Sequence, residues 1–254
     1  IAAGLGMPVV LTTNAAAFLV DLVSGLRLAS LGLENPQVAW GADLISRINH
    51  AIKDADVAAQ LRRAAVAAIQ ALAQDLTRAV GAQVRDIADQ VVCGNTAMQH
   101  LLAGWPVAQL GRAPFVAAGL AAIDVAADRL GLALGAGAEL HLAPGIGGLV
   151  GGDHVATLLA TEPVWSEPGT SLIMDIGTNT EISLIHEGVI RCASCPSGPA
   201  LEGGHIASGM RAAEGAIERV EIVGDELRLQ VIDGGAPVGL CGSGVLDALA
   251  AFVV

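Results

Sequence analysis

The chain has no tyrosine, three phenylalanines, three tryptophans and one lysine, Lys53, among its 254 residues. Its 13 basic side chains face 25 acidic ones, giving a net charge of −12. Nucleic-acid surfaces need basic patches and, for single strands, stacking rings, so this composition argues against a nucleic-acid partner. Long apolar runs are missing too. Hydrophobic residues make up 53% of the chain, but many are alanine, and no stretch reaches the roughly 20 apolar residues of a membrane-spanning helix. No basic segment followed by an apolar core marks a secretory leader, and the first residue is Ile1 rather than Met. The chain therefore reads as an internal piece of a longer protein. Its four cysteines, Cys93, Cys192, Cys195 and Cys241, are few for this length, and reduced thiols in a cytoplasmic protein are the simplest account. Cys192 and Cys195 form one C-x-x-C, either strand-end packing or a metal pair, but no second pair at metal spacing accompanies it.

Hydrolytic motifs are absent as well. There is no G-x-S-x-G and no H-E-x-x-H, and His50, His100, His141, His154, His186 and His205 lie far apart, so neither a serine triad nor a zinc peptidase site is supported. The glycine-rich run Pro144–Asp153 breaks the Rossmann pattern at Val150 and has no Walker lysine. What is left there is a flexible turn with Asp153 near a helix start, either a cap or a carboxylate facing a ligand.

Periodicity organises the rest as α/β. Ala16–Val20 and Leu26–Ser30 predict two strands around a turn at Gly25. Helical spacing follows Asn35-Pro36: a stripe at Leu44, Ile45 and Ile48 within Val38–Ile52, then a long helix over Val57–Val80 with Leu61, Ile69, Leu72 and Leu76 on one side, ended by Gly81. Ile87–Cys93 predicts a buried strand that stops at Gly94-Asn95-Thr96 before a helix carrying Met98, Leu101 and Leu102, a strand-to-helix junction typical of ligand-facing sheet edges. Residues 103–143 predict loops and a strand. Pro163, Pro168 and Gly169 mark a boundary, which divides the chain into 1–165 and 166–254. The second part is expected to run as strands 171–175, 180–185 and 188–193, a loop 196–204, a helix over about 205–218, two short strands within 220–232, and a helix from Val245. Both parts open on paired strands, which predicts an internal duplication.

The richest chemistry lies in Asp175-Ile176-Gly177-Thr178-Asn179-Thr180, a tight turn between two strands. Its amides, hydroxyls and one carboxylate suit a phosphate with a divalent cation on Asp175, or equally a plain solvated hairpin turn. Gly239-Leu240-Cys241-Gly242-Ser243-Gly244 precedes a helix, as an anion site or a tight connection. Glu202, between glycines, is a candidate for positioning water or metal. His205 is either a weaker candidate of that kind or a helix-start residue bonded to its own turn.

Taken in order, Asn35-Pro-Gln, Gly41-Ala-Asp, Gly94-Asn-Thr-Ala-Met-Gln-His-Leu-Leu, Gly151-Gly-Asp, Asp175-Ile-Gly-Thr-Asn, Gly198-Pro-Ala-Leu-Glu-Gly, Ser208-Gly-Met-Arg-Ala and Gly239-Leu-Cys-Gly-Ser-Gly resemble the C-terminal region of the reductive activators of corrinoid proteins. The resemblance covers most of residues 16–250. It implies the actin-like ATPase fold of the acetate and sugar kinase, chaperone and actin superfamily (ASKHA): two duplicated ribonuclease-H-like α/β domains enclosing a nucleotide cleft, the second C-terminally incomplete here. It further implies ATP and Mg²⁺ as cofactors and a corrinoid protein as partner. An N-terminal [2Fe–2S] domain, absent from this chain, would supply the electron that ATP drives uphill to cobalt.

Carried onto this sequence, the resemblance makes Asp175 and Glu202 the catalytic candidates, with Asp175 on the metal. Gly177, Thr178, Asn179, Gly242, Ser243, Gly244 and Asp153 become nucleotide contacts. One departure stands out. Where the superfamily carries Asp-x-Gly-Thr-Thr in its first half, counting back from Asp21-Leu22 meets Val9, Val10, Leu11, Thr12, Thr13 and Asn14, with neither carboxylate nor glycine. The alternative is therefore a non-catalytic docking or dimerisation module of the same fold, with a homodimer as one assembly open to it.

Overall fold

A computed structural model describes residues 4–12, 14–41, 44–224 and 226–253; Ile1, Thr13, Ala42, Asp43 and Val254, each used above, lie outside them. The chain divides into two compact units, 1–166 and 167–254.

The first unit is built on a mixed sheet. Strands β1 (Leu5–Gly6) and β2 (Val9–Leu11) are two halves of one strand interrupted at Met7-Pro8, since both pair with β3 (Asn14–Asp21) on one side and β5 (Ile87–Gly94) on the other. β4 (Arg27–Glu34) pairs antiparallel with β3. On the far side β7 (Glu139–Leu142) runs parallel to β5, and β6 (Ile123–Ala126) closes the edge antiparallel to β7. Three antiparallel strands followed by parallel ones is the arrangement expected of a ribonuclease-H-like unit.

One face of this sheet is packed by α2 (Ala55–Ala79), alanine-rich and hence strongly helix-forming. Asp54 caps it by accepting from the Asp56 N–H at 2.8 Å, and Gly81 ends it in the left-handed region at φ 73°. The expected stripe is confirmed: Leu61, Ile69, Leu72 and Leu76 are buried with Val9, Leu11, Leu19 and Val92, each contributing about 2 kcal/mol. α1 (Leu44–Lys53) is shorter than the expected 38–52, because Asn35-Pro36-Gln37 opens a separate 3₁₀ turn, Pro36–Trp40. Leu44 packs on the core and Ile48 is buried in it, but Ile45 is exposed.

The junction after β5 forms as expected. Asn95 Oδ1 accepts the Met98 N–H at 3.0 Å and starts α3 (Thr96–Ala103). The glycine-rich run then folds over this junction: Thr96 Oγ1 donates to the Gly147 carbonyl at 2.8 Å and Gln99 Oε1 accepts from the Gly152 N–H at 3.1 Å. A Cβ on Gly151 would sit 2.5 Å from both the Gly94 carbonyl oxygen and the Thr96 nitrogen. These two glycine motifs therefore serve each other's packing and launch α4 (Gly152–Ala160), which is followed by the short α5 (Glu162–Trp165).

The second unit opens on β8 (Thr170–Ile176), β9 (Asn179–His186) and β10 (Val189–Pro196), an antiparallel meander. A second sheet joins β11 (Ala216–Val223) to β12 (Glu226–Val231) antiparallel and to the short β13 (Gly239–Leu240) in parallel. α6 (Gly242–Val253) packs on β11. The helix expected over 205–218 does not form. His205 and Ser208 take left-handed backbone angles, φ 59° and 58°. The Leu240 N–H donates to the Ser208 carbonyl at 2.8 Å and the Met210 N–H to the Leu240 carbonyl at 2.9 Å. Glycines 203, 204 and 209 let this segment fold back on itself, and their close contacts override its helical apolar spacing.

The duplication extends to detail. In the second unit Ile176 pairs with Thr180 and the Gly177 N–H donates to the Asn179 carbonyl at 3.1 Å. In the first, Leu11 pairs with Ala15 and the Thr12 N–H donates to the Asn14 carbonyl at 2.8 Å. The residue after each third strand clamps its turn: Asn35 Nδ2 donates to the Thr12 carbonyl at 2.7 Å, and the Ser197 N–H donates to the Thr178 carbonyl at 3.0 Å. A proline-opened 3₁₀ turn follows in both, Pro36–Trp40 and Pro199–Glu202.

Candidate functional site

This register corrects the counting along the sequence by one residue. The position of Asp175 is taken in the first unit by Val10, and that of Gly177 by Thr12, rather than by Val9 and Leu11. The conclusion from counting survives the shift, since neither a carboxylate nor a glycine stands at those positions in the first unit.

In the second unit three segments converge on the β8–β9 turn. The turn is held from below by the N–H groups of Ser197 and Gly198, both donating to the Thr178 carbonyl, at 3.0 and 2.9 Å. Thr180 Oγ1 and Ser197 Oγ share a hydrogen bond of 2.6 Å. From the 3₁₀ turn, Glu202 Oε2 accepts a short hydrogen bond from Thr178 Oγ1, and a Cβ on Gly177 would lie 3.8 Å from Glu202 Oε1. From the start of α6, Gly242 packs on the Leu201 carbonyl with no room for a side chain, and a Cβ there would stand 3.2 Å from Glu202 Cα. Thus Gly177, Thr178, Glu202 and Gly242 are brought together, although up to 65 residues separate them in the chain.

Asp175 lies in a cross-strand row with Glu181 and Ser194. Like charges opposite one another in a ladder repel, and Ser194 Oγ donates to Glu181 Oε1 at 2.9 Å, which spreads part of that charge. The row occupies the face that also buries Ile173, Ser183 and Ile185. Asn179 begins β9 on the far side of the turn.

Gly242, Ser243 and Gly244 form the first turn of α6, where amide groups have no intrahelical acceptor. Gly244 is buried against the Ile217 carbonyl, so packing alone requires its missing side chain. Ser243 is exposed, its Oγ 3.3 Å from Cys241 Sγ. Asp153 belongs to the first unit, at the second residue of α4, where its Oδ1 accepts from the His154 N–H at 2.9 Å. His205 stands in a turn rather than at a helix start.

Other candidates resolve into structure. Cys192 Sγ lies 2.9 Å from Ser183 Oγ, and Cys195 Sγ donates to the Thr180 carbonyl at 3.7 Å. All four cysteines are free thiols, and among the described residues no three His, Cys, Asp or Glu side chains gather as a metal-ligand set. No helix among them is long and apolar enough to cross a membrane. Sequence reasoning passed over Asn35 and Gln37 except as a motif. Both are completely buried, and Gln37 Nε2 donates to the Leu61 carbonyl at 2.9 Å, tying the Thr12 turn to α2.

With this geometry in place the chain can be set beside known proteins. Residues 5–163 match the family described as the RACo middle region, and residues 169–254 match the C-terminal domain of RACo, the ASKHA domain. The chain belongs to the RACo family. These are the reductive activators of corrinoid proteins, and the resemblance read from the motifs is thereby established. The corrinoid activation enzyme RamQ of Eubacterium limosum is 33% identical over 239 residues, covering 94% of this chain and 40% of RamQ. The [Co(II) methylated amine-specific corrinoid protein] reductase of Methanosarcina barkeri is 34% identical over 134 residues, covering 44% of this chain and 25% of that protein. Among solved structures, a reductive activator for corrinoid, iron–sulfur protein superposes with a TM-score of 0.89 at 35% identity, covering 98% of this chain and 40% of that one. The chain thus spans about two fifths of the length of RamQ and of the solved RACo-family activator. Its fold is mixed α/β with an ASKHA domain.

Proposed function

We propose that this chain is the ATP-binding region of an ATP-dependent reductive activator of corrinoid proteins, acting as an ATPase. The observation that carries this reading is the β8–β9 turn locked onto Glu202. A turn fixed from two sides is preorganised for phosphate, so little order has to be created when the nucleotide binds. The donor set suits a magnesium phosphate: oxygen ligands only, the carboxylates of Asp175 and Glu202 near the turn, and no protein cage. In this reading Asp175 holds Mg²⁺ directly or through water. The Thr178 N–H and the Asn179 side-chain amide take phosphate oxygens, Gly177 lets the backbone approach the phosphate closely, and the first amides of α6 add positive potential. Glu202 orients the Thr178 hydroxyl and is the group placed to position a water. Bound magnesium would neutralise phosphate charge.

Nucleotide binding would bias the conformation that a corrinoid protein meets, coupling the nucleotide to electron delivery. The four thiols of this chain do not form a cluster site, so a [2Fe–2S] centre would lie in another domain of the longer protein. Free thiols also suit a reducing cytoplasm.

A second reading is favoured by Val10 and Thr12 at the positions of Asp175 and Gly177: a docking or dimerisation module, assembled as a homodimer, that has lost its nucleotide. Titration calorimetry of Mg-ATP against the full-length protein and its Asp175→Ala variant separates the two. Saturable binding lost in the variant supports the activator, and no binding to either leaves the docking module.

A further inference from the structure

α2 and the 3₁₀ turn Ala127–Leu130 border a cleft of about 620 Å³ in the first unit, lined in part by Arg62, Arg63, Val66, Asp128 and Arg129. Three of the 13 basic residues of a strongly acidic chain meet there. None of the three forms an ion pair among the described residues, and neither does Asp128 on the same rim.

The cleft is also preformed. Gln70 on α2 grips the far wall twice, Oε1 accepting from the Ala133 N–H at 2.8 Å and Nε2 donating to the Ala133 carbonyl at 3.4 Å. Ala127 and Leu132 anchor that wall in the core. One side is then a rigid helix and the other a pinned turn. Guanidinium groups are planar forks matched to phosphate and carboxylate oxygens. The volume falls within the roughly 300–1,000 Å³ of small-molecule sites.

We propose that this cleft binds a small multivalent oxyanion, a molecule carrying two or more phosphate or carboxylate groups. Its lining shares no residue with the β8–β9 turn, and the proposal does not rest on the nucleotide reading.

The test uses the full-length protein carrying Asp175→Ala, which removes the metal ligand of the other candidate site, with inorganic pyrophosphate and citrate as probes in titration calorimetry. The proposal expects saturable binding of at least one probe, weakened about tenfold or more by Arg63→Gln with Arg129→Gln, and weakened by added salt. Asp128→Asn moves affinity the other way by removing the rim carboxylate. Both arginines are exposed, so circular dichroism of the double variant should match that of its parent. Absence of saturable binding for both probes, or equal affinity in the double variant, overturns the proposal.

Discussion

Thr178 donates its hydroxyl hydrogen to Glu202, a residue 24 positions further along the chain, and so joins the β8–β9 turn to the 3₁₀ turn that follows β10. This single bond sets the orientation of the hydroxyl in the proposed phosphate loop.

Glu202→Ala removes the acceptor and unties the turn from the 3₁₀ segment, so the phosphate loop loses its preorganisation. Mg-ATP affinity is expected to fall about tenfold, the equivalent of one charge-assisted hydrogen bond at about 1.4 kcal/mol. Glu202→Gln keeps an oxygen acceptor and should retain most of the affinity. Calorimetric titration of both variants checks the order; equal affinities for wild type and Glu202→Ala would remove Glu202 from the site.

Gly151→Ala places a methyl group 2.5 Å from two backbone atoms of the β5–α3 junction. Backbone cannot rotate away as a side chain can, so the first unit is expected to lose about 2 kcal/mol or more. Trp40, Trp105 and Trp165, the only tryptophans, all lie in the first unit, so their fluorescence during urea unfolding reports this unit alone.

Gln90 is completely buried in β5, and neither its amide nitrogen nor its amide oxygen finds a partner among the described residues. Gln90→Leu keeps similar bulk and removes two uncompensated polar atoms. The same fluorescence assay should show a gain of about 1–2 kcal/mol; a loss would mean that the amide is satisfied by bound water.

Two histidines tilt the pH dependence of the first unit in opposite directions. His100 is held neutral: burial lowers its pKa from the ordinary 6.5, Nδ1 bonds to the Thr96 carbonyl at 2.7 Å and Nε2 accepts from the Ala118 N–H at 3.0 Å. Its contribution is present above pH 6.5 and is lost as the pH falls through the lowered folded value. His141 lies between Asp124 at 2.6 Å and Asp89 at 2.9 Å. The Asp124 hydrogen bond, ahead of the surrounding acidic charges, raises its pKa. That contribution is present below 6.5 and is lost as the pH rises through the raised folded value. Urea midpoints from about pH 5 to 8.5 should lose their acid slope in His100→Asn and their slope above neutrality in His141→Asn.

Much of this protein was written in local pattern. The stripe at Leu61, Ile69, Leu72 and Leu76 needs only helical period and a greasy face, and Asn95 before Thr96 needs only a side-chain oxygen in reach of a helix start. Both read correctly because their causes lie within a few residues. The β8–β9 turn was legible for the same reason, from Gly177 between two alternating runs. Tertiary structure alone decided the rest. Residues 205–218 have helical spacing, but contacts of Ser208 and Met210 with Leu240, some thirty residues away, hold the first part in turns, and the last three residues enter β11. Whether Val9 or Val10 matches Asp175 depends on pairing with Ala16 and Ala17, since a one-residue shift in a strand reverses its faces. The meeting of Arg62 and Arg63 with Arg129 is set by how α2 lies against a turn more than sixty residues later. Local sequence encodes what neighbouring residues can do; which distant groups become neighbours is settled by the packing of whole elements.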